Sequence, residues 1–182
     1  MMKNGCYKLT LAQANELSKI VLNEVKNDKG QVKHVVNRDC VGRDAKVILA
    51  KMGITVGDDI RCIIAEVPFE HLFVQEELMM PILGIVRVKN IDEAIDLACK
   101  AEHGNRHTAH MHSKNIDNLS RFAKAVETTI FVKNAPSYAG IGYGSEGHTT
   151  FTIAGPTGEG ITSARSFTRR RRCVMVDKFH II

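Results

Sequence analysis

In the middle third of the sequence, short apolar runs alternate with amphipathic segments of helical period, and this alternation restricts the fold more than any other feature. It predicts strands at 82–88, 107–112 and 129–132, with helices between them that begin near Asn90 and Ile116. Strands that alternate with helices pair in parallel through right-handed crossovers. The sequence therefore predicts an α/β fold with an open, mainly parallel sheet covered by helices on both faces.

The N-terminal region begins with a predicted helix. Thr10 and Gln13 form a capping-box pattern, and an apolar stripe at helical spacing follows as far as Val25. The first helix is therefore expected to continue to the polar turn at 27–30.

A second helix and a buried strand are predicted before the alternating region. Apolar residues at helical spacing over 45–52 are followed by Gly53, which is placed to end the helix as a C′ glycine. Residues 61–67 form an apolar run without helical period, which is typical of a strand covered on both faces. Both elements fit the same α/β fold.

The positive charge of the chain is local. The net charge is +5, and most of it comes from the four arginines at 169–172. Nucleic-acid binders use aromatic residues for base stacking. Here aromatic residues make up only 5% of the chain, there is no tryptophan, and no aromatic residue lies within the basic run. A subunit-facing edge is favoured over a nucleic-acid site.

Membrane insertion and metal binding are not expected. The most apolar stretch, 78–86, is far shorter than the roughly 20 residues of a membrane-spanning helix, and the N-terminus has no secretory apolar region. The five cysteines contain no C-x-x-C pair, which favours a reducing cytoplasm. His107, His110 and His112 are the candidate metal ligands, but strand alternation places His107 on the opposite face from the other two.

Two glycine-rich motifs resemble nucleotide sites only in part. Residues 142–147 satisfy G-x-G-x-x-G, but the residues that follow are β-like and do not predict the helix that such a site requires. Residues 155–162 approach a phosphate-binding loop, but Ile161 stands where the lysine is required. Neither motif predicts a nucleotide site.

Longer motifs are more informative than these short ones. The sequence resembles the CoA-acylating aldehyde dehydrogenases of ethanolamine and propanediol utilisation, but only their C-terminal part. The matching stretches are VQEELMMP at 74–81, EHGNRHTA at 102–109, HSKN at 112–115, TIAGPTGEG at 152–160 and SARSF at 163–167. The resemblance implies a three-layer catalytic domain of the aldehyde dehydrogenase type over residues 5–168. It also implies a basic run and an oligomerisation strand over 169–182.

The resemblance implies the chemistry as well. A cysteine thiolate attacks a short aldehyde, NAD⁺ accepts a hydride, and the resulting thioester passes its acyl group to CoA. It further implies cytoplasmic localisation, within a bacterial microcompartment in some members, and assembly into a homo-oligomer.

Three residues match functional positions of the family. Glu77 matches the glutamate that binds the nicotinamide ribose, and Ser137 and Tyr138 fall where loops border the acyl pocket. None of the five cysteines has the Leu-Pro-Cys-like context of the nucleophile, so the nucleophile and the NAD-binding domain are expected upstream of this chain. The chain alone is therefore expected to be inactive. The alternative is a noncatalytic module that binds CoA or a protein partner through its basic edge.

Overall fold

The protein is described by a computed structural model that covers residues 1–26, 28, 30–144, 149–150, 153–154, 160–172, 174 and 176. The chain forms two compact units, Met1–Leu97 and Ala98–Ile182. Each unit is an α/β structure with its own parallel strand pairing.

The first unit contains five strands and most of the helices. In chain order these elements are β1 (Cys6–Leu9), α1 (Leu11–Val21), β2 (Leu22–Lys26), β3 (Val32–Val36), α2 (Ala45–Ala50), β4 (Cys62–Glu66), α3 (Leu72–Gln75), β5 (Ile82–Ile85) and α4 (Ile91–Ala101), whose last turn belongs to the second unit.

The second unit continues with β6 (Thr108–Met111), α5 (Ile116–Val126), β7 (Ile130–Lys133), a 3₁₀ helix (Ser137–Ile141), β8 (Ile153–Ala154), β9 (Gly160–Ile161) and a second 3₁₀ helix (Ala164–Phe167). A further short 3₁₀ helix, Met2–Asn4, precedes β1 in the first unit.

The main sheet of the first unit has the order β1-β4-β5, and both pairings are parallel. The central strand β4 has Ile63, Ile64 and Ala65 buried in succession. A parallel strand that is covered on both faces needs such a continuous apolar run. The strand predicted at 61–67 is therefore confirmed as β4.

The core of this unit is built from the strands and the inner faces of α1 and α2. Leu17 and Val21 of α1 and Ile48 and Leu49 of α2 are fully buried in one hydrophobic cluster with Ile63 of β4. Burial of one such aliphatic side chain contributes about 1.5–3 kcal/mol. The two helices are therefore fixed to the sheet by packing.

Helix α1 is shorter than the sequence pattern predicts. It starts with the expected capping box, in which Gln13 N donates to Thr10 Oγ1 at 3.3 Å and Thr10 N donates to Gln13 Oε1 at 2.9 Å. It ends at Val21, and Val25 lies in β2, paired antiparallel with Lys33 of β3. The prediction of a helix reaching 27–30 is wrong, because pairing across a hairpin replaces the last helical turn.

Helix α2 ends as its sequence predicts. Gly53 has φ 73°, its N–H donates to Ala50 O at 3.0 Å, and Ile54 N donates to Leu49 O at 3.1 Å. These two bonds form a Schellman motif with Gly53 at C′. The C′ assignment from sequence is confirmed.

The second unit places α5 beside a parallel pair of strands, β6 and β7. Leu119, Phe122 and Val126 form the buried face of α5, and the rings of Phe122 and Phe131 of β7 meet edge to face at 5.5 Å. The helix predicted from Ile116 and the strands predicted on either side of it are confirmed, and each strand boundary is shifted by one residue.

Several sequence predictions fall on residues that are not described. The terminal apolar strand predicted after the arginine run lies largely outside the described part, as do parts of both glycine-rich motifs. Of the helices that the described residues form, none is long and apolar enough to cross a membrane.

Candidate functional site

Glu77 lies in the segment that connects α3 to β5 in the first unit. Its neighbour Leu78 is buried, with 6% of its surface exposed, and anchors the segment while Glu77 points to solvent. Within the described part of the chain, the Glu77 carboxylate makes no hydrogen bond or ion pair. Both of its oxygens are therefore available as acceptors for ligand hydroxyl groups.

The preceding residue, Glu76, is held differently. Its Oε1 lies 3.6 Å from His34 Nδ1, and the other ring nitrogen of His34 lies 3.8 Å from Glu24 Oε1. His34 and Glu24 lie on the β2–β3 hairpin, so the hairpin contacts the segment one residue before Glu77. The two adjacent carboxylates therefore differ: Glu76 contacts His34, whereas Glu77 has no partner among the described residues.

Helix α3 is a single turn whose start is fixed by a histidine. His71 Nδ1 accepts a hydrogen bond from Phe73 N at 3.0 Å, and Gln75 Nε2 donates to Phe69 O at 2.6 Å. His71 Nε2 is buried and has no hydrogen-bond partner among the described residues. Burial lowers the pKa of His71, because the charged ring would lose its hydration.

Ser137 and Tyr138 lie in the second unit, at the start of the 3₁₀ helix after β7. Tyr138 is 66% exposed, its ring meets Tyr143 edge to face at 6.4 Å, and its carbonyl accepts from Tyr143 N at 3.0 Å. An open, mainly apolar pocket of about 520 Å³ is lined by Tyr138, Ile141, Gly142, Tyr143, Gly144 and Thr149. Tyr138 lines this pocket, whereas Ser137 is exposed beside it.

The loop that leads to this pocket is held by Asn134. Its side chain bonds Ser113 in both directions: Oδ1 accepts from Ser113 N at 2.7 Å, and Nδ2 donates to Ser113 O at 2.8 Å. Asn134 N also donates to Met111 O at 3.0 Å, and its φ is 54°. Sequence reasoning did not single out this residue, although asparagine directly after a strand is a common signal for the left-handed conformation.

Gly140 lets the 3₁₀ helix lie directly on β7. A Cβ at this position would clash with Cγ2 of Ile130 and approach Cγ2 of Val132 to 2.9 Å. Only a residue without a side chain therefore fits at this position. The close contact determines how far Tyr138 and Ile141 of the same 3₁₀ helix lie from β7.

Neither Cys40 nor Cys62 has the features of a catalytic nucleophile. Cys40 is fully buried in the core, and burial together with the nearby Cys6 thiol raises the pKa of Cys62. A reactive cysteine needs a lowered pKa and access to solvent.

The candidate histidine ligands do not form a metal site in the described structure. The rings of His110 and His112 meet edge to face at 5.9 Å, while His107 Nδ1 contacts Thr108 Oγ1 at 2.6 Å. No group of three or more potential ligands occurs among the residues that the structure describes.

The matches to known proteins agree with the motifs at 74–81 and 102–109. The model of the aldehyde dehydrogenase family matches residues 61–147. The acetylating acetaldehyde dehydrogenase EutE of Salmonella typhimurium is 53% identical over 175 residues, which cover 96% of this chain and 37% of the relative.

Solved structures agree in fold as well as in sequence. Propionaldehyde dehydrogenase of Rhodopseudomonas palustris, crystallised with bound CoA and an acylated cysteine, superposes with a TM-score of 0.83 at 54% identity, over 96% of this chain and 38% of that one. The propionaldehyde dehydrogenase of the Clostridium phytofermentans fucose utilisation bacterial microcompartment gives a TM-score of 0.81 at 56% identity, over 94% and 37%.

The chain spans well under half the length of these relatives. Within that span the agreement covers nearly all of this sequence and its parallel α/β fold. The chain therefore belongs to the family of acylating acetaldehyde and propionaldehyde dehydrogenases, of whose members it matches a partial segment.

Proposed function

We propose that this chain is the C-terminal part of an NAD-dependent acylating aldehyde dehydrogenase, which converts a short aldehyde, NAD⁺ and CoA to acyl-CoA, NADH and a proton. The observation that carries the proposal is the match, at 53% identity over 96% of this chain, to an acetylating acetaldehyde dehydrogenase. The structure of a propionaldehyde dehydrogenase with bound CoA and an acylated cysteine supports the thioester chemistry.

In this proposal Glu77 binds the ribose of the nicotinamide half of NAD. The residue fits the role because its carboxylate is exposed and unpaired within the described structure, on a segment anchored by Leu78. A carboxylate only accepts hydrogen bonds, and ribose offers two neighbouring hydroxyl donors. NAD, when bound, takes up the hydride, while Glu77 fixes the orientation of the ring that receives it.

Tyr138 and Ser137 are proposed to form part of the wall of the aldehyde and acyl pocket. The pocket beside Tyr138 is open and mainly apolar, which suits a short alkyl chain. Ser137, exposed at the start of the same 3₁₀ helix, supplies a hydroxyl group at its border.

The nucleophilic cysteine is proposed to lie outside these 182 residues, in the part of the enzyme that also binds NAD. The raised pKa of Cys62 and the burial of Cys40 support this assignment. A thiolate in the remaining part would attack the aldehyde carbonyl carbon, and the acyl group would then pass from its sulfur to the thiol of CoA.

The finer architecture is part of the same proposal. Residues 5–168 form a portion of a three-layer catalytic domain, and 169–182 form a basic run with a strand that joins a neighbouring subunit. The four arginines at 169–172 are all exposed, which suits a subunit edge. The enzyme is proposed to be a cytoplasmic homo-oligomer that works in a bacterial microcompartment, since the similar propionaldehyde dehydrogenase of Clostridium phytofermentans comes from such a compartment.

A chimera tests the proposed activity. This chain replaces the matching segment of the Salmonella acetaldehyde dehydrogenase, and NADH and acyl-CoA are measured with acetaldehyde or propionaldehyde. We expect turnover by the chimera and none by the 182-residue chain alone. Turnover by the chain alone would contradict the proposal that the nucleophilic cysteine lies outside these 182 residues. A folded but inactive chimera would favour a noncatalytic CoA-binding or partner-binding module.

Glu77 is tested in the same chimera. Glu77→Gln should lower kcat/KM for NAD⁺ about 10- to 100-fold, because a hydrogen bond to a charged group contributes about 1.5–3 kcal/mol. Glu70→Gln is the matched control, since Glu70 is an exposed carboxylate on the same unit, before α3. Equal losses in the two variants would rule out the ribose role.

A further inference from the structure

Two cysteines face each other across the first parallel strand pair. Cys6 opens β1, Cys62 opens β4, and the two residues are direct partners in the register. Directly paired residues on neighbouring strands point to the same face of a sheet. Their thiols are therefore side by side, and Cys62 also has its Sγ 3.5 Å from Ile63 O.

The register that pairs them is fixed by the residue before Cys6. Gly5 O accepts hydrogen bonds from Arg61 N at 2.7 Å and from Cys62 N at 3.2 Å. Gly5 has φ 78°, and a Cβ there would lie 2.5 Å from Asp59 O. A side chain at this position would force the two chain segments apart, so the glycine holds the start of β1 against the start of β4.

The distance between the two backbones suits a disulfide. Neighbouring strands lie about 4.7–4.9 Å apart, and bridged cysteines have Cα atoms about 4.4–6.8 Å apart. Both residues are partly exposed, so a small reagent can reach them. Cys40, in contrast, is buried in the core, and Cys99 lies on α4.

We propose that Cys6 and Cys62 form a dithiol site that low-molecular-weight disulfides oxidise to an intramolecular disulfide. This site is independent of the proposed aldehyde chemistry.

The exchange has two balanced steps. The Cys6 thiol loses its proton to solvent, and its sulfur attacks the small disulfide, forming a mixed disulfide and expelling one small thiolate. The Cys62 thiol then loses its proton, and its sulfur attacks the Cys6 sulfur, forming the Cys6–Cys62 bond and expelling the second small thiolate. The two protein thiols are oxidised by two electrons, and the small disulfide is reduced to two thiols.

The order of attack follows from the surroundings of Cys62. Burial and the neighbouring Cys6 raise the pKa of Cys62, so a smaller fraction of Cys62 is thiolate than for an ordinary cysteine. Cys62 is therefore suited to the second, intramolecular step. That step is favoured by proximity, because the target sulfur lies on the adjacent strand. The bridge ties the start of β1 to the central strand of the sheet.

Oxidised glutathione provides the test. The native 182-residue chain is incubated with it, the remaining thiols are alkylated, and peptides are mapped by mass spectrometry. We expect a Cys6–Cys62 cross-linked peptide, alkylation of the other three cysteines, and reversal by excess reduced glutathione. Thermal unfolding of the oxidised chain should shift to higher temperature, because the bridge restricts the unfolded chain.

Single substitutions separate this pair from the other cysteines. Cys6→Ser and Cys62→Ser should each abolish the bridge, while Cys99→Ser, the control on α4, should leave it unchanged. A lasting glutathione adduct on Cys6 of the unsubstituted chain, without the cross-link, would overturn the proposal. So would cross-links distributed among other cysteine pairs of the folded chain.

Discussion

Gly84 of β5 faces the backbone carbonyl of Phe73 in α3 so closely that a Cβ on Gly84 would lie 2.9 Å from that oxygen. The carbonyl belongs to the backbone and cannot rotate away as a side chain would. The contact therefore lets α3 lie against β5, and α3 and β5 are the two elements that hold the Glu77 segment between them.

Replacing this glycine tests the contact. Gly84→Ala should destabilise the fold by about 1–3 kcal/mol, the usual effect of overpacking, and should be measured by urea unfolding. Leu83→Ala is the control on the same strand, because Leu83 is 46% exposed and should change stability much less. A neutral Gly84→Ala would show that α3 moves freely away from the sheet.

The contact under the 3₁₀ helix of the second unit gives a second prediction. Gly140→Ala places a methyl group against Ile130 and Val132 of β7, so we expect a loss of about 1–3 kcal/mol and a changed tyrosine signal in near-UV circular dichroism. The control is Gly140→Ala combined with Ile130→Ala, which removes the Cγ2 atom that clashes. If the loss caused by Gly140→Ala is the same in both backgrounds, the proposed clash is wrong.

His71 predicts a dependence of stability on pH. Burial lowers its pKa from 6.5, so the folded protein favours the neutral ring while the unfolded chain takes up a proton near pH 6.5. The stability linked to His71 is therefore fully present above about pH 6.5 and is lost as pH falls from there toward the lowered pKa.

The variant His71→Asn isolates this effect. Asparagine also caps a helix start but does not titrate, so the fall in unfolding temperature just below pH 6.5 should become shallower. His110→Asn, at an exposed histidine of β6, is the control and should leave the profile unchanged. Identical profiles for the unsubstituted chain and His71→Asn would contradict the prediction.

The C-terminal segment is predicted to mediate self-association. A chain ending at residue 168 should have a smaller mass by multi-angle light scattering than the 182-residue chain. Replacing all four arginines at 169–172 with lysine keeps the charge and the strand, and should preserve the association. Equal masses for the truncated and the 182-residue chain would exclude the segment as a subunit contact.

Local signals in the sequence predicted most of the helices and strands. Helix α5 begins at Ile116 as predicted, and Gly53 ends α2 through the bonds expected of a C′ glycine. In both cases the information lies within a few neighbouring residues. The end of α1 was missed because Val25 continues the helical spacing, and its pairing with Lys33 depends on a second strand.

The candidate site was predictable only where a motif was long enough. Glu77 was identified by the stretch at 74–81, since nothing in its own spacing distinguishes it from Glu76. The structure separates the two, because Glu76 contacts His34 and Glu77 has no partner among the described residues. The role of Asn134 depends on Ser113, 21 residues earlier, and such a long-range pair has no local signal.

The Asn134–Ser113 pair has a consequence for how the loop after β7 can vary. The amide group of Asn134 has the same donor and acceptor as a peptide group, so it acts as one more rung of the β6–β7 ladder. The main chain can therefore turn away into the loop that carries Tyr138 without leaving the last strand positions frayed. Changes in the length or sequence of that loop would then be absorbed beyond Asn134, and the pocket could be reshaped while the strands beneath it keep their register.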